Sequence, residues 1–166
     1  MSRNTSFRTF ATLVVAGILV PVAGHGQSRP EAMESRAESL LAQRQDLHRG
    51  AKLLVQAAAL RGETDPVGVS DLLFAAGAFY ADGKRTQGRE TYVQAAERAL
   101  AMGDVPRAAI GYVRAALIAN EQRDPVRDEL IHKANRLAAS PFVSETQRQS
   151  ILGQFEKQPV VIAKKN

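Results

Sequence analysis

Residues 72–83 read LLFAAGAFYADG, residues 92–103 read YVQAAERALAMG and residues 112–123 read YVRAALIANEQR. Set one beneath another, these segments keep an interval of twenty: Leu72, Tyr92, Tyr112 and His132 fall in one column, and Ala75, Ala95, Ala115 and Asn135 in a second. Ala76, Ala96 and Ala116 make a third column, Phe79, Ala99 and Ala119 a fourth, and Gly83 and Gly103 close their units. Self-similarity at a fixed interval marks stacked helices built from one recurring unit. Alanine at matched places lets helix axes approach toward the lower end of the usual ~8 to 10 Å packing range. The expected fold is all-α, a short α-solenoid of about three helical hairpins.

Upstream, from Pro30 to Arg61, apolar residues fall at helical spacing, first Met33, Ala37, Leu40 and Leu41, then Leu47, Ala51, Leu54 and Ala58. Arg44, Gln45 and Asp46 separate the two sets, and Asp46 suits a helix N-cap, so the segment reads as a hairpin, with one unbroken helix as the alternative. Gly62 to Pro66 is a loop in which Asp65 caps the next helix and Pro66 takes its first position, where a missing amide hydrogen is harmless. The second hairpin spans Val67 to Met102 and turns at Asp82 to Lys84, where Gly83 can adopt the positive φ that ends a helix. Gly103 and Asp104 repeat that device. The third hairpin covers Val105 to Asn120 and Pro125 to Ala139, restarted by Asp124 and Pro125. Ser144 to Gln147 spell a capping box opening a last helix with Ile151, Leu152 and Phe155 on one side, the expected C-terminal capping helix.

These hairpins resemble the tetratricopeptide repeat. In that family a large residue, leucine, glycine and tyrosine recur on the first helix, and alanine, phenylalanine and proline on and after the second. In the middle hairpin Leu72, Ala75, Ala76 and Phe79 stand at the first four places, Gly88 and Tyr92 at the next two, and Gly83 in the turn, while Leu100 replaces the closing proline. The third hairpin offers Tyr112, Ala115, Ala116 and Ala119, with Asp128 and His132 on its second helix and Pro141 one place late. In the first, Ala37, Leu41, Gly50 and Leu54 fit, whereas Glu34 and Glu38 depart. The resemblance spans Pro30 to Pro141, and two units of twenty exceed the family's ~34-residue repeat. It implies a protein that binds a protein or peptide through a concave groove and acts as an adaptor or scaffold.

Face patterns locate that groove. The helix from Thr86 to Met102 has a polar side at Glu90, Gln94, Glu97 and Arg98 and is expected to face water there. The helix from Val67 to Ala81 instead carries two apolar stripes, Leu72, Ala75, Ala76 and Phe79 beside Leu73, Gly77 and Tyr80. The helix from Arg107 to Asn120 repeats this with Tyr112, Ala115, Ala116 and Ala119 beside Ile110, Val113 and Leu117. One stripe suffices for a hairpin. The spare residues Leu73, Gly77, Tyr80, Ile110, Val113 and Leu117 are the expected partner-binding groove. The alternative is a structural or self-associating protein whose C-terminal helix folds back to fill that groove, with a homo-oligomer possible.

The ends and the charges place the module. Arg3 and Arg8 precede a run from Phe10 to Gly24 that is apolar apart from Thr12 and Pro21, and Gly24 and Gly26 follow. This is the layout of a signal peptide over residues 1–26, cleaved after Gly24 or Gly26, with a retained anchor as the alternative. Spanning a bilayer needs about 20 apolar residues, so no span is expected after cleavage. The expected location is exported, periplasmic or secreted, in a bacterial-type cell envelope. The helical domain is assigned to 30–157 and a flexible tail to 158–166. Removing the signal leaves 20 basic against 17 acidic residues, interspersed along the chain, which argues against a nucleic-acid partner. The chain has no cysteine, hence no disulfide and no thiolate metal site. His48 and His132 lie on different hairpins, and His132 reads as a packing residue in the tyrosine column. No glycine loop follows a strand to cradle a phosphate. No enzyme, metal or cofactor is expected.

Overall fold

The computed structural model describes residues 28–156, the side chains of Phe155 and Glu156 excepted. The expected signal segment 1–26, its cleavage site and the tail 158–166 lie outside the described residues. The helices are α1 (Arg29–Ala42), α2 (Leu47–Leu60), α3 (Pro66–Ala81), α4 (Arg85–Ala101), α5 (Val105–Gln122), α6 (Val126–Ala138) and α7 (Glu145–Glu156). No strand occurs among the described residues. From α1 to α6 each helix packs on the next, and α7 packs on α5 and α6, which makes an all-α, solenoid-like stack. No helix among the described residues is long and apolar enough to cross a membrane.

Local chemistry sets the helix starts. Asp46 accepts a hydrogen bond from the Arg49 amide at 2.8 Å, Asp65 from Val67 at 2.8 Å, Asp104 from Arg107 at 3.2 Å and Asp124 from Val126 at 3.0 Å. Each satisfies an amide that has no partner inside its helix. At the head of α7 the Ser144 amide donates to Gln147 Oε1 at 2.9 Å and the Gln147 amide to Ser144 Oγ at 3.3 Å, the reciprocal capping box.

Four turns share one closure. Arg44, Gly83, Gly103 and Arg123 have φ of 49°, 76°, 76° and 55°, and each donates its amide to the carbonyl three residues back. The following amide reaches the carbonyl five back, as from Gln45 to Leu40 and from Asp124 to Ala119. The turn at Arg44 separates α1 from α2, so the single long helix does not form. It also shows that an arginine can fill the left-handed place that glycine fills more cheaply.

The alanine columns are the core. Ala75, Ala95 and Ala115, then Ala76, Ala96 and Ala116, are buried, as are Leu72, Tyr92, Tyr112, Phe79, Ala99 and Ala119. Close approach depends on two glycines: a Cβ on Gly88 would lie 3.0 Å from the Ala76 carbonyl oxygen, and one on Gly111 would lie 2.9 Å from that of Tyr92. The columns stop at α6. His132 and Asn135 are exposed, and α6 instead buries Leu130, Ala134 and Ala138. Helices α3 to α5 have a full neighbour on each side, whereas α6 meets α5 and only the short contact of α7, so a single narrow stripe is covered. The packing role expected of His132 is therefore corrected.

Arginines tie the hairpins together from outside the columns. Arg98 of α4 turns away from water, donating to the carbonyls of Ala58 at 2.9 Å and of Gly62, at the end of α2 and in the loop beyond. Arg61 donates to Glu34 Oε1 at 2.6 Å and Oε2 at 2.8 Å, fixing α1 against α2. Lys133 pairs with Glu129 at 2.8 Å, and Asp128 with Arg127.

Candidate binding groove

Along α3, Ser70, Phe74, Gly77 and Ala81 share one face, at spacings of four, three and four residues. Along α5, Ile110, Arg114, Leu117 and Glu121 do the same. The two sets stand forty residues apart, two beats of the repeat, so the first helices of successive hairpins present equivalent positions to one side of the stack. That side is concave. A groove of about 650 Å³ is walled by Leu41, Leu47, Leu73, Phe74, Ala78 and Ile110, with Gly77 and Tyr92 in its floor and Ser70, Arg44 and Arg114 as polar lining. A smaller cavity of about 140 Å³ shares Tyr92 and Arg114 with it and adds Tyr80, Leu117, Ile118 and Glu121.

Five of the six groove residues read from the sequence line these two spaces, Leu73, Gly77 and Ile110 the larger, Tyr80 and Leu117 the smaller. Val113 does not. It is 0% exposed and belongs to the largest buried cluster, which includes Leu130 and Ala134 of α6. At about 100° per residue it sits roughly 70° around α5 from the Ile110–Arg114–Leu117–Glu121 face. The sequence reading missed Phe74 and Arg114, the middle residues of the two faces. Phe74 is 70% exposed. Following the face by spacing alone would have found both, since Arg114 lies four residues after Ile110 and three before Leu117.

The floor is shaped by a missing side chain. A Cβ on Gly77 would stand 3.3 Å from the Tyr92 hydroxyl, so glycine leaves that hydroxyl at the groove. Burial raises the Tyr92 phenol above its usual range, with the Arg114 cation beside it acting in the opposite direction. At the other end the Tyr80 hydroxyl donates to Glu121 at 2.8 Å, joining α3 to α5. Arg85 lies 5.9 Å over the Tyr80 ring and 3.4 Å from Glu121, which completes a small surface network. The bond to Glu121 raises the Tyr80 phenol.

No described residue of α7 lines either space. Ile151 is buried in the α5–α6 cluster and Leu152 packs against it, so this helix covers the end of the stack. His48 is half-buried on α2, 3.7 Å from Asp82 and edge-on to Phe79 at 5.5 Å, and lines neither space. Among the described residues no three potential metal ligands converge. Comparison with protein-family models, with curated proteins and with solved structures gives no match for this chain.

Proposed function

We propose that this protein is a non-catalytic, tetratricopeptide-like module, exported to the periplasm or beyond, that binds a segment of another protein in the groove between α3 and α5. The single supporting observation is the groove's lining: apolar side chains from the first helices of successive hairpins, in matched register, with Phe74 exposed in the middle. Apolar walls give affinity to inserted anchor side chains, and an open trough admits a continuous chain. Its polar groups are two guanidinium groups and two hydroxyls. That set suits orienting a ligand.

A photo-crosslinking phenylalanine analogue at position 74, in the exported chain, tests the reading against the same analogue at position 142, which is exposed on the α6–α7 connection. The expected result is a protein adduct formed at 74 and not at 142. It should vanish when Leu73→Asp and Ile110→Asp are introduced with helicity intact. Equal adducts at both positions would refute the groove, and an adduct of two copies of this chain would support the self-associating alternative. N-terminal sequencing of the mature protein tests the export assignment.

A further inference from the structure

The charges of the groove are one-sided. Arg44 and Arg114 line it, no carboxylate lines the larger space, and among the described residues neither arginine makes an ion pair. Some arginines elsewhere on the stack are matched, as Arg61 is with Glu34, Arg89 with Asp124 and Arg107 with Asp104, and others such as Arg98 and Arg123 make no ion pair among the described residues. What sets the groove apart is two guanidinium groups in one lining that holds no carboxylate. Glu121, which lines the adjoining smaller cavity with Arg114, is already held by Tyr80 and Arg85. The remaining polar groups, the Ser70 and Tyr92 hydroxyls, can both donate. The lining is thus apolar with donors and two uncompensated cations, and it offers no anionic acceptor.

The two cations are also well separated in the architecture. Arg44 comes from the α1–α2 turn and Arg114 from α5, and α3 lies between them in the stacking order. The Arg44 backbone is held by the amide bonds of its turn, at 3.1 Å to Leu41 and, from Gln45, at 3.2 Å to Leu40. Both guanidinium groups line the same space as Phe74, so a ligand that meets both lies against α3. Two cations amid leucine, isoleucine and phenylalanine suit carboxylates set among apolar side chains. A phosphodiester strand would call for a row of cations.

Resting on the groove reading above, we infer that the occupant is an acidic, apolar peptide segment of a partner protein, its aliphatic or aromatic side chains seated against Phe74, Leu73 and Ile110 and its carboxylates on Arg44 and Arg114. Charge complementarity of this kind selects the partner and speeds its encounter more than it deepens the affinity. Binding accordingly weakens as salt screens the two cations.

The probe is a phage-displayed library of random short peptides, selected against the mature protein, with winners remade as synthetic peptides and their affinities measured by fluorescence anisotropy. The expected winners carry Asp or Glu beside Leu, Ile or Phe. Arg44→Glu and Arg114→Glu should each weaken them about tenfold, by losing an attraction and adding a repulsion. The double variant should select Lys- or Arg-bearing peptides in their place. Apolar winners without charge preference, lost in Phe74→Ala, would overturn this inference and leave the groove standing. Winners that bind Phe74→Ala and Leu73→Asp as tightly as the parent would overturn both readings, as would failure to enrich any sequence. Oleate is the competing probe: tight oleate binding lost in Arg114→Glu, without acidic winners, would assign the site to an anionic amphiphile and overturn the peptide.

Discussion

Asp71 is the one charged residue of α3, 6% exposed, with an Oδ2 atom that has no hydrogen-bond partner. Glu34 faces it from α1, Arg61 from the end of α2 at 3.7 Å, and Asp65 from the head of α3. Arg98 of α4 closes the set over the Gly62 carbonyl. One central cation thus meets three carboxylates, and Arg61 is already committed to Glu34 and Asp65. Burial and the adjoining Glu34 push Asp71 up to about 7, while the bond from Arg61 holds Glu34 below the usual range. In the unfolded chain an aspartic acid ionises near 4. Between those values the folded state keeps a proton that the unfolded state has lost, so stability must fall as pH rises. The contribution is complete below about pH 4, declines by up to ~1.4 kcal/mol per unit, and is gone above about 7, a total on the order of 4 kcal/mol. Glu34 acts with opposite sign, its contribution present above its unfolded value and lost in acid, so the stability maximum is expected near pH 4 to 5, roughly where the two trends cross. Urea unfolding followed by circular dichroism at pH values from about 4 to 8 measures this. Asp71→Asn keeps the shape and a donor toward Glu34, and should flatten the decline and equal or exceed the parent at the alkaline end. A parent protein as stable at neutral pH as at pH 5, or an asparagine variant that keeps the full slope, would refute the account of a protonated Asp71 beside an ionised Glu34.

Substitutions at two further positions test how the hairpins are held. Arg98→Ala removes a guanidinium that satisfies the Ala58 and Gly62 carbonyls and should cost about 2 to 3 kcal/mol. Arg98→Lys should recover less than half of that, because an ammonium cannot span the carbonyls as a planar fork does. A loss below about 0.5 kcal/mol in thermal melts would show the clasp to be incidental. Arg123→Gly relieves a left-handed residue at φ 55° whose side chain makes no ion pair among the described residues, and should raise stability by about 1 kcal/mol. A lowered unfolding midpoint would mean that the arginine side chain contributes more than its backbone costs.

These residues also show which parts of the molecule the sequence could carry. The caps at Asp46, Asp65, Asp104 and Ser144 and the glycine turns at 83 and 103 are local: a side chain meets an amide two or three residues on, or a missing Cβ permits a positive φ. Their positions fix the helices, and the alanine columns then state which faces meet. Arg123 and Arg44 hide the same turn because the conformation is shared while the residue that advertises it is not. The groove was legible as apolar stripes, and that criterion erred in both directions. It drew in Val113, apolar but turned to the core, and it passed over Arg114, which shares the groove face of α5 but is charged. Burial on a helix is decided by angle, and polarity only correlates with it. Asp71 and Arg98 fall beyond either rule, since their environments are assembled from residues some forty positions away, as Glu34 is from Asp71 and Ala58 from Arg98. A lone carboxylate inside an apolar helix was the available sign that such an assembly existed. With Asp71 protonated beside an ionised Glu34, neutralising Asp71 stabilises the α1–α3 junction that carries Leu41 and Arg44 to the groove. The pH dependence of folding and the pH dependence of ligand capture would then move together.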